Sequence, residues 1–571
     1  MAAVTIVTFL SVLRNDFVNW DDVDNFLKNP HYRGLGWANL RWMFTTAHLG
    51  HYIPVTWLTL GLDYVLWGMN PWGYHLTAIL LHATNALVFY FLAYRVLALS
   101  FASSPADASP SDAGPEDPLS GRDCGPDRGL VLGALTAALL FSVHPLRVES
   151  VAWITERRDL VAGLFCLLAV LAYLEACRRG TMGRLRVGWY GTSVGLFALA
   201  LLSKSIVVGL PLVLLALDVY PLRRRPLRGL LVEKAPFLLA SVIVGVLTLV
   251  IGVRIELTAD LATLGVVDRL AIFAHGLCFY LWKTVVPWPL SPLYELHYPV
   301  RPLAATYLVP GVAVVTTLAA VIGLRRRWPA GLTACTAYVA LLLPVSGLLQ
   351  NGHQTAADRY TYLACLGWAV MGGAGVTWCW RAKGSGALPP RLALLLGALS
   401  ATAIVACAAL STLQIRVWRD SEILWRHAVA VDPGSAFAHY HLAGAFSILG
   451  KGEQARAEYA KAIALAPDVL KASGLFHASL GRELHTAGDL EGAERNYTVA
   501  LRYARNDETA LNNLGVIYAL RGNDQAAFDL FVRLLRVAPG HDAACRNVRI
   551  LSVRLDVRPV ELKHCPRGGA G

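Results

Sequence analysis

His144-Pro-Leu-Arg147-Val-Glu149-Ser-Val-Ala-Trp153-Ile-Thr-Glu156-Arg157-Arg158-Asp159 runs directly into the largely apolar stretch 159–177. Ionised groups beside hydrocarbon are costly unless they find partners or a ligand. This junction therefore reads as the end of a bilayer crossing that carries chemistry. Glu149 and Trp153 are four apart and share a face if the segment is helical. Arg157 and Arg158, followed by Asp159, also fit the simpler role of snorkelling anchors.

The rest of the chain supports the membrane reading. Of 571 residues, 55% are hydrophobic and 16% charged, and mean hydropathy is +0.48, too apolar for an ordinary soluble globule. Apolar runs at 2–13, 75–99, 129–143, 159–177, 187–203, 205–220, 233–252, 304–324, 329–349, 360–380 and 391–413 give eleven expected crossings of a hydrocarbon core about 30 Å thick. The first run is short and lacks a basic leader, which argues against a cleaved signal peptide. A start codon placed too far downstream would account for its length. Segment 268–287 carries Asp268, Arg269, His275 and Lys283 and is expected to be interfacial or re-entrant.

The formal charge of +12 is not a nucleic-acid signature, because the arginines cluster in short loops between apolar runs. Arg178, Arg179, Arg184 and Arg186 mark one cytoplasmic turn, and Arg223 to Arg228 a second. Arg325 to Arg327 mark a third, and Arg381 with Lys383 a fourth. The N-terminus is then cytoplasmic and the C-terminus extracytoplasmic, in an integral multi-pass protein of the inner or plasma membrane if the source is bacterial. The acidic stretch 101–128 becomes a disordered cytoplasmic loop. Loops 14–74, 144–158, the turn at Lys204 and loop 350–359 all fall on the outer face.

From about 416 the pattern changes to short amphipathic helices. Pro433 and Pro467 are 34 residues apart, as are Gly488 and Gly522. That period, with Gly at a turn and Pro at a unit's end, matches tetratricopeptide repeats, here about three units and a capping helix. The expected organisation is all-α: a membrane domain over 1–414, a short α-solenoid over 415–548 and a tail over 549–571. Most of the ten cysteines lie in apolar segments. Cys545 and Cys565 are able to pair in the tail, though nothing requires it. No metal cluster is evident.

The polar residues of the outer face are the candidate site. Loop 14–74 holds six of the sixteen tryptophans, among them Trp20, with His51, Tyr52 and Asp63. An aromatic belt accounts for Trp67 and Trp72. Asp21 and Asp22 differ, because adjacent carboxylates repel and one of them is then protonated or basic near neutral pH. The alternative is an acid-rich first turn of a helix. Lys204 and Arg359 offer cations at headgroup depth, suited to a lipid phosphate. The alternatives are an interface marker and an Asp358–Arg359 pair. His353 lies in the same loop as Arg359, His144 opens the second motif, and His82 and Asn85 read as buried, hydrogen-bonded residues.

In order and spacing these motifs resemble the transmembrane and tetratricopeptide-repeat O-mannosyltransferases and their bacterial relatives, in the GT-C class of glycosyltransferases. The resemblance is carried by Phe17-Val-Asn-Trp-Asp-Asp22, His51-Tyr-Ile-Pro-Val-Thr-Trp57, Leu62-Asp-Tyr-Val-Leu-Trp-Gly68, Tyr74-His75 and Leu81-His82…Asn85. It continues in His144-Pro…Glu149…Arg157, Leu202-Ser-Lys204…Leu217-Asp218 and Asp358-Arg-Tyr-Thr-Tyr-Leu363, and the repeats complete it. It implies a GT-C-type fold of about eleven spans, a site on the lumenal or periplasmic face and a catalytic base at Asp21 or Asp22. The first span is truncated relative to that pattern, and the repeat array is shorter than in eukaryotic members.

The expected function is transfer of a sugar, mannose among the options, from a polyprenyl-phosphate carrier to a hydroxyl, with Ser or Thr of an exported protein as acceptor. Asp21 or Asp22 is the expected catalytic residue. Lys204, Arg157, Arg359, Glu149 and His353 are the expected donor or lipid-phosphate residues. Trp20, His51, Tyr52, Asp63 and His144 support the acceptor and its loop. The lipid-linked sugar is a co-substrate, no further cofactor is implied, and a role for a divalent cation stays open. The repeats are expected to hold a polypeptide. A non-enzymatic membrane-anchored repeat scaffold is the alternative, and a transporter a more distant one, since no inverted internal repeat is found.

Overall fold

The computed structural model describes residues 1–102, 127–178, 186–254, 264–348, 352–465, 472–557, 563 and 565. Most of the expected cytoplasmic loop, Pro467 and most of the tail lie outside the described residues. The chain divides into two units, Met1–Asp420 and Ser421–Gly571.

The first unit is a helical membrane body. Five helices are long and apolar enough to cross a bilayer: Pro71–Phe101, Ile154–Arg178, Ala235–Arg254, Ala305–Gly323 and Pro390–Val417. Two bent pairs raise the number to seven, Arg128–Ser142 with Pro145–Ala152 at 57° and Asp358–Ala364 with Leu366–Gly384 at 55°. The remaining expected runs form shorter apolar helices, Ala2–Arg14, Val187–Leu201, Ser205–Val219 and Pro329–Val345. At 1.5 Å per residue these fall short of hydrocarbon thickness, so the structure supports five to seven crossings and not the full eleven. The 268–287 segment is one helix, Val266–Val285, which keeps Asp268, Arg269 and Lys283.

Ile154–Arg178 is the central span. Its apolar window is 72% buried, against 11% for Ala235–Arg254, 6% for Ala305–Gly323 and 0% for Pro390–Val417. The last three present aliphatic side chains outward, the face a lipid solvent requires. Close helix contacts occur where side chains vanish: a Cβ on Gly373 would stand 2.3 Å from the Gly133 carbonyl oxygen, and one on Gly209 2.0 Å from that of Ala340. Beside the first of these, Thr377 Oγ1 donates to Gly129 O at 3.1 Å.

Ion clusters fasten the central span near both ends. Toward its C-terminus the Tyr173 hydroxyl lies 2.9 Å from both Asp218 carboxylate oxygens. The same carboxylate takes Arg224 at 2.9 Å and Lys234 at 2.5 Å. Toward its N-terminus a larger cluster gathers, described below. A two-stranded antiparallel ladder, Tyr294–Glu295 with Gln354–Ala356, is the one departure from an all-α body among the described residues.

The second unit is a stack of antiparallel helices from Ser421–Val431 through Asp542–Arg554. The repeat shows in its packing. A Cβ on Gly481 would meet the Tyr497 ring at 2.8 Å and one on Gly515 the Phe531 ring at 2.9 Å, both pairs displaced by the same 34 residues. Asp489 and Asn523 cap successive helices by accepting from Gly492 N and Ala526 N. Gly488 and Gly522, with φ of 85° and 77°, make the turns before them.

Cys545 and Cys565 form a disulfide with a Cα–Cα distance of 5.8 Å, and both sulfurs sit in the core of the last helices with Leu511, Phe531 and Val548. For a closed loop of 20 residues the chain-entropy contribution is about 3 kcal/mol. Replacing both cysteines by serine is expected to speed amide exchange at Val548 and Leu551 by roughly 100-fold in the intact chain. Unchanged protection there would remove the disulfide from the stability of this cap.

Candidate active site

Loop 14–74 is held on its own aromatic core. Phe26, Tyr32, Trp57 and Tyr74 pack together with Met43 and Ile154, and the Tyr32 and Tyr74 hydroxyls meet at 3.2 Å. Burying this much ring surface fixes the loop against the start of the central span.

The structure separates the two adjacent aspartates. Asp22 is buried. Its carboxylate accepts from Val18 N at 3.1 Å, from Thr155 N at 3.1 Å and from Thr155 Oγ1 at 2.6 Å. Asn25 Nδ2 donates to the same threonine oxygen at 3.1 Å. Asp22 is thus a staple between the loop and the N-terminal end of the central span. Burial pushes its pKa up to about 7, partly opposed by the Thr155 and Val18 hydrogen bonds. Asp21 is half-buried and, among the described residues, its carboxylate makes no ion pair within 4 Å. Burial raises its pKa above the ordinary aspartate range, and the charges of Arg158 and Arg359 act against that rise.

Those cations belong to a compact network. Glu156, fully buried, accepts from Arg158 Nη2 at 2.5 Å and Lys204 Nζ at 2.6 Å, with Arg359 Nε at 3.2 Å. Lys204 also reaches Asp159 at 2.7 Å, and Ser150 donates to the other Asp159 oxygen at 3.1 Å. Arg359 pairs with the Glu149 carboxylate, which also accepts from the Arg359 backbone N–H at 2.8 Å. The Arg359 guanidinium lies 5.9 Å from the Trp20 ring centre, 5.3 Å from Trp153 and 5.0 Å from Tyr360. Trp20 and Trp153 pack at 5.0 Å. Three cations meet three carboxylates, so the cluster is balanced as it stands.

Other predicted residues fall around this group. Arg157, next in sequence to Arg158, leaves the helix in a different direction and is not brought to the cluster. It is buried against Asp63 at 2.7 Å and donates to Tyr74 O at 2.5 Å, while Thr77 donates to the second Asp63 oxygen. His51 exchanges backbone hydrogen bonds with His48, and the charges of Arg158, Glu156 and Lys204 act on its ring. Tyr52 donates to Phe44 O at 3.0 Å. His144 Nε2 lies 3.1 Å from Thr284 O, and its Nδ1 accepts from Leu146 N. His353 is exposed and its carbonyl accepts from Leu296 N, beside the small ladder. His82 and Asn85 share the Tyr362 hydroxyl at 2.9 Å each.

Sequence reasoning gave no role to Glu156, Trp153 or Asp159 and ranked Arg158 below Arg157. The spacing of Arg157 and Arg158 held the signal, since consecutive helical residues point about 100° apart and only one of them faces a given partner. Next to the cluster a cleft of about 280 Å³ is lined by Asp159, Arg359, Tyr360 and Tyr362 together with the apolar Ile206 and Leu341. An anionic head and an apolar tail each find a matching wall there.

The raised Asp22 pKa sets a pH signature. The folded state holds this proton more tightly than the unfolded chain, whose carboxyl titrates near 4. The staple's contribution to stability therefore falls as pH rises from about 4 to about 7 and is level above. The melting temperature of the intact protein minus that of Asp22→Asn is expected to decline over that window. A difference that grows with pH would reject burial as the dominant influence.

No protein-family model matches the chain. Human protein O-mannosyl-transferase TMTC1 is 24% identical over 532 residues, covering 82% of this chain and 55% of that protein. Mouse protein O-mannosyl-transferase TMTC4 is 27% identical over 500 residues, covering 77% of this chain and 62% of that protein. The human TMTC4 protein reaches 30% over 217 residues. The chain thus spans 55% to 62% of the length of the first two relatives. Among solved structures, the APC/C hetero-tetramer Cut9-Hcn1 aligns over 74% of this chain and 90% of its own at 12% identity and a TM-score of 0.24, a likeness on which nothing is built. With homology running along about four-fifths of its length, the chain is a distant relative of the protein O-mannosyl-transferases that its motifs resemble.

Proposed function

We propose that the chain is a membrane glycosyltransferase that moves a sugar from a polyprenyl-phosphate carrier to a hydroxyl of an exported polypeptide. The observation that carries this reading is the division of labour between Asp21 and Asp22: one carboxylate is tied into the fold, and its neighbour is left partly open beside a cationic cluster. Asp21 is the base, Asp22 its positioning partner. The hydroxyl oxygen attacks the anomeric carbon, its proton passes to Asp21, and the carbon–oxygen bond to phosphate breaks with the electron pair leaving on the carrier phosphate. A single displacement inverts the anomeric centre and requires one carboxylate, which matches a lone open acid. Arg359, Arg158 and Lys204 receive the charge that develops on the leaving phosphate. The cleft beside Arg359 and Tyr362 accommodates the carrier's first apolar units.

The site and the repeats share the extracytoplasmic side in this reading, with the N-terminus inside and the four shorter apolar helices completing the crossings. The Cys545–Cys565 disulfide supports that placement, because such bonds persist in oxidising compartments. The repeats bind the acceptor polypeptide.

Transfer from a lipid-linked mannose to a Ser/Thr peptide, assayed in proteoliposomes, tests the assignment. Asp21→Asn is expected to lower kcat by roughly 10²–10⁴. Asp22→Asn, which keeps an oxygen for Thr155, is expected to retain at least about a tenth of the rate. Equal losses in both variants, or none in Asp21→Asn, would reject Asp21 as the base.

A further inference from the structure

We infer that Trp418, where the span Pro390–Val417 ends, is a positioning residue for the Asp21–Arg359 site: it holds Trp153, and through it Arg359 and the loop bearing Asp21, in place. Trp418 is buried and stacks on Trp153 with ring centres 5.8 Å apart and planes 24° from parallel. Trp153 in turn lies 5.0 Å from Trp20 and 5.3 Å from the Arg359 guanidinium carbon. Among the described residues the Trp153 indole N–H has no hydrogen-bond partner, so ring packing is what orients it.

A second attachment runs through the backbone. Asp16 N donates to Arg419 O at 2.9 Å, and Asn15 Nδ2 reaches Ile415 O at 3.4 Å. The start of the loop that carries Asp21 is therefore sewn to the end of the last span from both sides of Trp418. Two residues, Arg419 and Asp420, then lead into the first repeat helix, Ser421–Val431. Trp418 touches neither Asp21 nor Arg359. It sets their separation by filling the space behind Trp153, and a displacement of about 1 Å at a reacting pair is enough to cost up to roughly 100-fold in rate.

The turnover arm of the test rests on the proposed transfer, and the exchange arm does not. In the full-length protein, Trp418→Ala is expected to lower kcat at least about 10-fold while KM for the lipid-linked sugar stays within about threefold. Trp418→Phe restores most of the rate by refilling the stack. A wild-type kcat in Trp418→Ala, a loss confined to KM, or no rescue by Phe overturns the inference. In hydrogen exchange, the Val18 and Thr155 amides that bind Asp22 are expected to open about 10-fold faster in Trp418→Ala, with Leu174 at the far end of the central span unchanged. Unchanged exchange at Val18 and Thr155, or equal acceleration at Leu174, overturns it. Should the wild-type protein transfer no sugar, the proposed function fails and the exchange result still decides the role of Trp418.

Discussion

A single buried carboxylate organises the membrane unit. Glu156 has no solvent contact, and an ionised group in that position survives only if cations replace its lost hydration. The cations come from three places: Arg158 two residues on, Lys204 from the turn after the next helix, and Arg359 from a bent helix pair much later in the chain. Meeting that one requirement brings three loops to the same point. The neighbours of Glu156 then inherit fixed positions: Thr155 binds Asp22, and Trp153 carries Arg359 on its face. The site is built around the needs of a residue that itself is enclosed.

The charge balance shapes what this surface is able to do. Arg158, Lys204 and Arg359 are matched by Glu149, Glu156 and Asp159. A phosphate arriving here meets cations already engaged, so it shares them instead of neutralising a bare patch. Such a site holds an anion weakly in the ground state and gains most when negative charge builds up nearby, the arrangement that favours turnover over tight retention. The Asp218–Lys234–Arg224 cluster, fastened to Tyr173 on the same helix, is closed on all sides and reads as an anchor.

The sequence displayed the membrane body and the repeats because both are written as periodicity: long apolar runs, and a 34-residue beat of Gly, Pro and aromatic positions that the Gly481–Tyr497 and Gly515–Phe531 contacts reproduce. It displayed the neighbourhood of the site through charges at span ends. It did not display assignments that depend on direction. Asp21 and Asp22 are identical in composition and differ only in which one faces Thr155. Arg157 and Arg158 differ only by a rotation about the helix, and one of them went to Asp63. The apolar run before His144 and the motif after it read as a span and a loop, whereas they form one helix bent by 57°. Trp418 carries no local signal at all; its importance lies in a partner 265 positions earlier, Trp153.

The central span also constrains how the chain is made. Arg157 has its partner Asp63 94 residues upstream, so that pair is able to form as the helix enters the bilayer. Lys204 follows Glu156 by 48 residues, and Arg359 follows Glu149 by 210. During synthesis, two glutamates and an aspartate therefore wait at the bilayer's edge for cations still on the ribosome. Biogenesis must shelter this nascent helix, in the insertion channel or beside a membrane chaperone, until translation has delivered the last basic side chain.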